Sequence, residues 1–142
     1  MKNIIPIMVA LSVIALADFS RTNQIVTDSS TALQWQDNAD VADPSNKKIW
    51  TAAIDYCQSL DFGTHTDWRL PNFNELYYIA DKSKVNPAID STFQNVVSDG
   101  YWSSSTRVSD TGPAWVVYFD GGFDGSSAKT FELFVRCVRD GQ

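Results

Sequence analysis

The chain has 142 residues, a formal net charge of −6, and a composition that is 44% hydrophobic and 13% aromatic. That acidity argues against nucleic acid, anionic lipid or a strongly sulfated polysaccharide as the main partner, because the protein's own field repels each of them. One histidine and two cysteines leave little from which to build a zinc site or a cysteine–histidine nucleophile.

Residues 1–17 carry Lys2 and then an apolar run from Ile4 to Ala17 that closes on Ala15-Leu16-Ala17. One positive charge, a short apolar stretch and a small-residue cleavage pattern read as a secretory signal peptide, the alternative being an uncleaved anchor. The run is shorter than the roughly 20 apolar residues of a membrane span, and the polar Asp18-Phe19-Ser20-Arg21 follows at once, so no stable membrane insertion is expected after cleavage. No cysteine follows the cleavage pattern to carry a lipid. Residues 18–142, free of repeats, low-complexity tracts and linkers, are expected to form one domain.

Gln24 to Asp28 and Ala32 to Gln36 are short β-branched or aromatic runs separated by Ser29-Ser30, which predicts an N-terminal hairpin. Asp37 to Lys48 reads as a loop, with Ser45 or Asn46 available as a helix cap. From Ile49 the spacing turns helical. Trp50, Ala53, Ile54, Cys57 and Leu60 line one face, and Gly63 closes the helix. Trp68-Arg69-Leu70-Pro71 is extended, since Pro71 disfavours helix at Leu70. Asn72 with Glu75 forms a capping-box pattern that opens a second helix, with Phe73, Leu76, Tyr77 and Ala80 on one side and Asp81 to Pro87 ending it. The last third is β in character: Tyr101 to Ser105, Ala114 to Asp120, a glycine-rich turn at Gly121 to Gly125, and Thr130 to Arg139. In the final run Phe131, Leu133, Val135 and Cys137 share one face and Glu132, Phe134, Arg136 and Val138 the other.

Cys57 thus lies on the apolar face of a helix and Cys137 on the apolar face of a strand, so both thiols point toward a core. Export and an even cysteine count favour a disulfide between them; the alternative is two buried free thiols that never meet.

The series Leu33-Gln34-Trp35-Gln36-Asp37, Trp50 with Ala53, Tyr56-Cys57 and Leu60, Trp68-Arg69-Leu70-Pro71 with Glu75-Leu76, Tyr101 to Ser105, and Val135-Arg136-Cys137-Val138-Arg139 resembles the exported bacterial domain named after the C-terminal domain of the Legionella collagen-like adhesin. The likeness runs from about Ser20 to Arg139. It implies an α+β, C-type-lectin-like fold with two helices, a small mainly antiparallel sheet and a loop-rich face. It also implies one disulfide from the first helix to the last strand, where Cys57 and Cys137 fall. The adhesin binds polyanionic glycans through a trimeric domain. This chain differs in lacking collagen-like repeats within its 142 residues and in its negative charge.

The Glu-Pro-Asn, Gln-Pro-Asp and Trp-Asn-Asp triplets of calcium-dependent sugar lectins are absent. Asp120 and Asp124 could offer oxygen ligands to Ca²⁺, but Gly and Asp in this stretch read as a hairpin turn, and no metal or other cofactor is expected. His65 reads as a solvated loop residue, and Ser103-Ser104-Ser105 lacks a Gly-x-Ser-x-Gly elbow. Formylglycine-generating enzymes share a lectin-like fold and a related Arg-Leu-Pro segment but need reactive cysteines. Trp35, Trp50, Trp68 and Trp115 read as core residues; Trp102, before a polar loop, could be half exposed and serve as an aromatic platform, although core packing is the favoured reading for it too. Arg69, Arg136 and Arg139 are expected to bridge carboxylates.

By analogy with lectin-like ligand surfaces, a site would involve Trp102, Arg107, Asp110, Thr111, Phe123 and Asp124. The expected function is non-catalytic recognition or adhesion, binding a glycan or cell-surface protein at the bacterial envelope, periplasmic or extracellular, with oligomerisation open. The alternatives are a structural subunit of an envelope complex and an enzyme.

Overall fold

The helix expected from Ile49 begins where the chain arrives extended: α1 spans Trp50–Gln58 with Ile49 as its N-cap. No side chain caps it. The Lys129 carbonyl accepts the otherwise orphaned Trp50 N–H at 3.1 Å. Ser45 and Asn46, the expected caps, belong instead to a 3₁₀ turn at Pro44–Asn46, where Asp43 accepts from the Ser45 N–H. Helix α1 stops at Gln58, short of Leu60 and Gly63. Gly63 and Thr64, both at positive φ, form a tight turn whose flanking residues Phe62 and His65 exchange backbone hydrogen bonds.

The computed structural model describes residues 6–7 and 18–141, so the signal-peptide reading lies outside the described residues. Among those described, no helix is long and apolar enough to cross a membrane.

Helix α2 spans Phe73–Tyr78 and carries the full capping box: Asn72 Oδ1 accepts the Glu75 N–H at 2.8 Å and Glu75 Oε1 accepts the Asn72 N–H at 2.9 Å. These reciprocal bonds satisfy two donors that a helix start leaves open.

The fold is α+β, with two antiparallel sheets rather than one. The first contains β1 (Phe19–Thr22), β2 (Ile25–Asp28), β3 (Leu33–Gln36) and β7 (Val138–Asp140), in the order β1-β2-β3-β7. Trp35 pairs with Val138, which brings the start and end of the domain together. The second sheet contains β4 (Gly100–Thr106), β5 (Pro113–Tyr118) and β6 (Phe123–Ala128), in sequence order.

Alternation along β5 divides the core. Val117, and Phe119 just beyond the strand, join Tyr101, Leu76 of α2, and Val26 and Trp35 of the first sheet. Ala114 and Val116 face the opposite way, toward Ala53 and Cys57 of α1, Trp102, Val135 and Cys137. Cys57 and Cys137 are bonded inside this second cluster, 80 positions apart in sequence with Cα atoms 5.5 Å apart. Among the described residues no cysteine is free.

Thr130 to Arg139 is not one strand. Only β7 is regular, while Leu133 and Phe134 form isolated bridges to Lys48 and Tyr101. The two-face pattern survives from Leu133 onward, yet Phe131 is 62% exposed because a turn, closed by its N–H on the Ala128 carbonyl, directs it outward. The glycine-rich turn is also shorter than expected, since Phe123 already begins β6.

Candidate functional site

Most arginines are committed to structure. Arg69 bonds Glu75 at 2.7 Å and Asp140 at 2.9 Å, Arg139 bonds Asp67 at 2.7 Å, and Arg136 and Arg21 share Asp37. Arg107 differs. Among the described residues it has no carboxylate partner: its Nη1 donates to Ser126 Oγ at 3.3 Å, and its buried Nε has no acceptor. The guanidinium lies over Trp115, 5.6 Å from the ring centroid.

From Trp115 an aromatic strip runs across the sheet onto α2. Trp115 and Phe73 lie 5.4 Å apart between centroids, Phe73 and Tyr77 stack at 5.3 Å, and Lys82 Nζ lies 4.6 Å from the Tyr77 centroid. All three rings are partly exposed. Phe73 and Tyr77 meet because residues four apart on a helix lie one above the other. Phe73 is anchored to the sheet through its backbone N–H on Ser105 Oγ. The strip is therefore a row of ring faces between two cations, on a protein that is otherwise acidic.

The residues expected to form a site do not converge. Trp102 is fully buried, so the favoured core packing holds and its candidacy as a half-exposed binding residue does not. Its ring packs with Ala53, Cys57 and Val116, and its indole N–H donates to the Lys48 carbonyl at 2.8 Å. After it, Ser103 Oγ donates to the Trp115 carbonyl and Ser105 Oγ accepts the Phe73 N–H, while Ser104 between them is exposed. Trp35 and Trp68 are buried as expected, whereas Trp50 and Trp115 are only partly so.

Arg107, Asp110 and Thr111 lie at one end of the second sheet, where Pro113 pairs with Ala128. There Asp110 accepts from the Gly112 N–H, and the Thr111 carbonyl accepts from Lys129 Nζ. Phe123 and Asp124 lie at the other end, where Tyr118 pairs with Phe123. Phe123 is 62% exposed and lines, with Lys82, Val85, Asn86 and Asp120, a cleft of about 380 Å³. The Trp115 strip connects the two ends, and the sequence reading missed it by assigning Trp115 to the core. Phe73 and Tyr77 four apart on a short helix, with a lysine five residues beyond, was the available signal.

Asp120 Oδ1 accepts from its neighbour Gly121 N–H, and among the described residues no group of three or more histidine, cysteine or acidic side chains gathers in a way that could hold a metal ion. His65 lies in the Phe62–His65 turn, partly exposed.

The structure defines a small α+β domain, closed by one disulfide from the first helix to the segment before the last strand, with two helices flanking a three-stranded sheet. The family model of the Lcl C-terminal domain matches residues 24–139, and the chain belongs to this family, the C-terminal domain of the Legionella collagen-like adhesin. It is an adhesin-like domain family. Curated proteins provide no match.

Proposed function

We propose that this chain is an exported, non-catalytic recognition domain of lectin-like plan that binds a glycan at the bacterial envelope through the Trp115–Phe73–Tyr77 strip. The observation carrying this reading is the run of partly exposed ring faces held between Arg107 and Lys82. Ring faces accept the C–H side of a sugar, and the flanking cations supply hydrogen-bond donors that, among the described residues, form no ion pair with a carboxylate. Asp110 and Thr111 border the strip at the Arg107 end, and Phe123 and Asp124 at the Lys82 end. The buried disulfide supports export to the periplasm or beyond, because such bonds persist in oxidising compartments.

A glycan and surface-protein array, run with and without Ca²⁺, tests the proposal. Binding to glycan spots that Trp115→Ala and Arg107→Ala remove is the expected result. Silence on every spot, or binding indifferent to both substitutions, overturns it.

One observation favours a second reading as a structural subunit of an envelope complex. Strand β6 is an edge strand carrying one charged residue, and an uncovered edge can take a strand from a partner. Co-purification of a stoichiometric protein partner, with no soluble ligand, would favour that reading.

A further inference from the structure

The first sheet carries a second concave surface, whose lining shares no residue with the aromatic strip. Two tight turns meet there: Asn23-Gln24 between β1 and β2, and Gly63-Thr64 between Phe62 and His65, all four residues at positive φ. They interlock closely, since a Cβ on Gly63 would lie 2.4 Å from Ile25 Cδ1. Between them opens a cleft of about 510 Å³, within the ~300–1,000 Å³ of small-molecule sites.

Its lining has a consistent chemistry. Thr22, Thr27, Thr64, Gln34 and His65 present hydroxyl, amide and imidazole groups over the apolar Ile25, and among the described residues no Asp, Glu, Lys or Arg lines it, although 20% of the chain is charged. Gln34 and Thr27 are pre-oriented. They pair across β2 and β3, Gln34 Nε2 donates to Thr27 Oγ1 at 3.2 Å, and Gln34 Oε1 accepts from Arg139, which Asp67 holds in turn. That chain fixes the amide from behind and leaves the second Gln34 N–H and the Thr27 hydroxyl hydrogen for a ligand. Thr64 stands at φ +65°, a region that a β-branched residue occupies only under strain, and it places a hydroxyl at the cleft where glycine would fit the turn more easily.

We propose that this cleft is a binding site for a neutral polyhydroxylated ligand, an uncharged sugar unit whose hydroxyls meet Thr27, Gln34 and Thr64 and whose C–H face lies on Ile25. The site is separate from the strip of the proposed function and stands or falls independently of it.

Titrations of the full-length, disulfide-intact, ¹⁵N-labelled protein with cellotetraose, maltotetraose, mannotetraose and chitotetraose, each to on the order of 10 mM, reach the millimolar affinities of weak sites. The expected result is that at least one sugar shifts the resonances of Thr22, Thr27, Gln34 and Thr64. Thr27→Val and Thr64→Gly, each folded by its thermal melt, should weaken that binding about three- to tenfold, as losing one neutral hydrogen bond does. Trp115→Ala should leave it unchanged. No shift at these residues with any of the sugars overturns the proposal. So does binding that survives both cleft substitutions, or that Trp115→Ala abolishes; the last outcome would assign the sugar to the strip.

Discussion

Asp37 and Arg136 form an ion pair sealed from solvent, with Arg136 Nη1 3.1 Å from Asp37 Oδ1 and side-chain exposures of 1% and 0%. The carboxylate also takes Arg21 Nε at 2.6 Å and the backbone N–H groups of Gln94 and Asn95 at 2.9 and 3.1 Å. Arg136 donates further to the Gln36 and Asn95 carbonyls. One carboxylate thus ties the end of β3, the β1 arginine, the long loop before β4 and the segment before β7.

Asp37→Asn should therefore be severe. The amide keeps the shape but removes the charge that balances two guanidinium groups, and it points N–H donors where donors already converge. Breaking a buried pair by changing one partner costs about 3–5 kcal/mol. Urea unfolding should show a loss of that size, while Arg21→Met, removing the more exposed partner, costs less. Equal losses for the two variants would contradict the hub.

The disulfide closes a loop spanning 80 positions inside the second core cluster. Constraint of the unfolded chain predicts that Cys57→Ser, Cys137→Ser or reduction each lowers stability by about 2–5 kcal/mol. Thiol titration of the native protein should find none reactive. Two reactive thiols in the native protein would refute the bond.

Stability should fall with acid in a way that Glu75 helps to set. Burial alone would raise its pKa, but the Arg69 guanidinium and the Asn72 N–H outweigh it and hold the carboxyl below its ordinary value. Arg139 lowers Asp67 in the same way, and the hydroxyl and N–H of Thr92 lower Asp90. A carboxyl lowered in the folded state binds fewer protons there than in the unfolded chain. Its contribution is complete above the unfolded pKa and disappears as pH falls through the folded one. Unfolding free energy should thus decline from about pH 5 to pH 2, around and below the ordinary carboxylate pKa of roughly 4. Glu75→Gln should be less stable at neutral pH and show a shallower decline. An unchanged acid slope would remove Glu75 from this account.

Local chemistry made much of the fold legible. Asn72 and Glu75 lie three residues apart, so their capping box is written in a short span, and the two cysteines were placed by periodicity alone. Strand β6 was hidden because its Gly125-Ser126-Ser127 centre has turn-like composition, and only pairing with β5 makes it a strand. Asp37 was visible in the Leu33–Asp37 run, but its partners lie 16, 57, 58 and 99 positions away, beyond any local pattern. Trp115 was assigned to the core and lies partly exposed, while Trp102, favoured as core yet kept among the site residues, is fully buried. Alternation tells which residues share a face but not which face the rest of the chain covers.

That contrast gives the sharpest test of the surface. Trp102 is fully buried with its indole N–H satisfied, so Trp102→Ala opens a cavity and removes one of the two donors to the Lys48 carbonyl, the Leu133 N–H remaining, at a cost of about 3–5 kcal/mol. Trp115 is partly exposed, and among the described residues its indole N–H has no protein acceptor, unlike those of Trp50, Trp68 and Trp102. Trp115→Ala should cost less stability than Trp102→Ala and reduce glycan binding about tenfold or more, the scale of an aromatic hot spot. Paired urea unfolding and isothermal titration with an array-identified glycan would read both quantities. If Trp115→Ala destabilised the fold as much as Trp102→Ala while folded protein kept full affinity, the strip would be core and the binding surface would lie elsewhere.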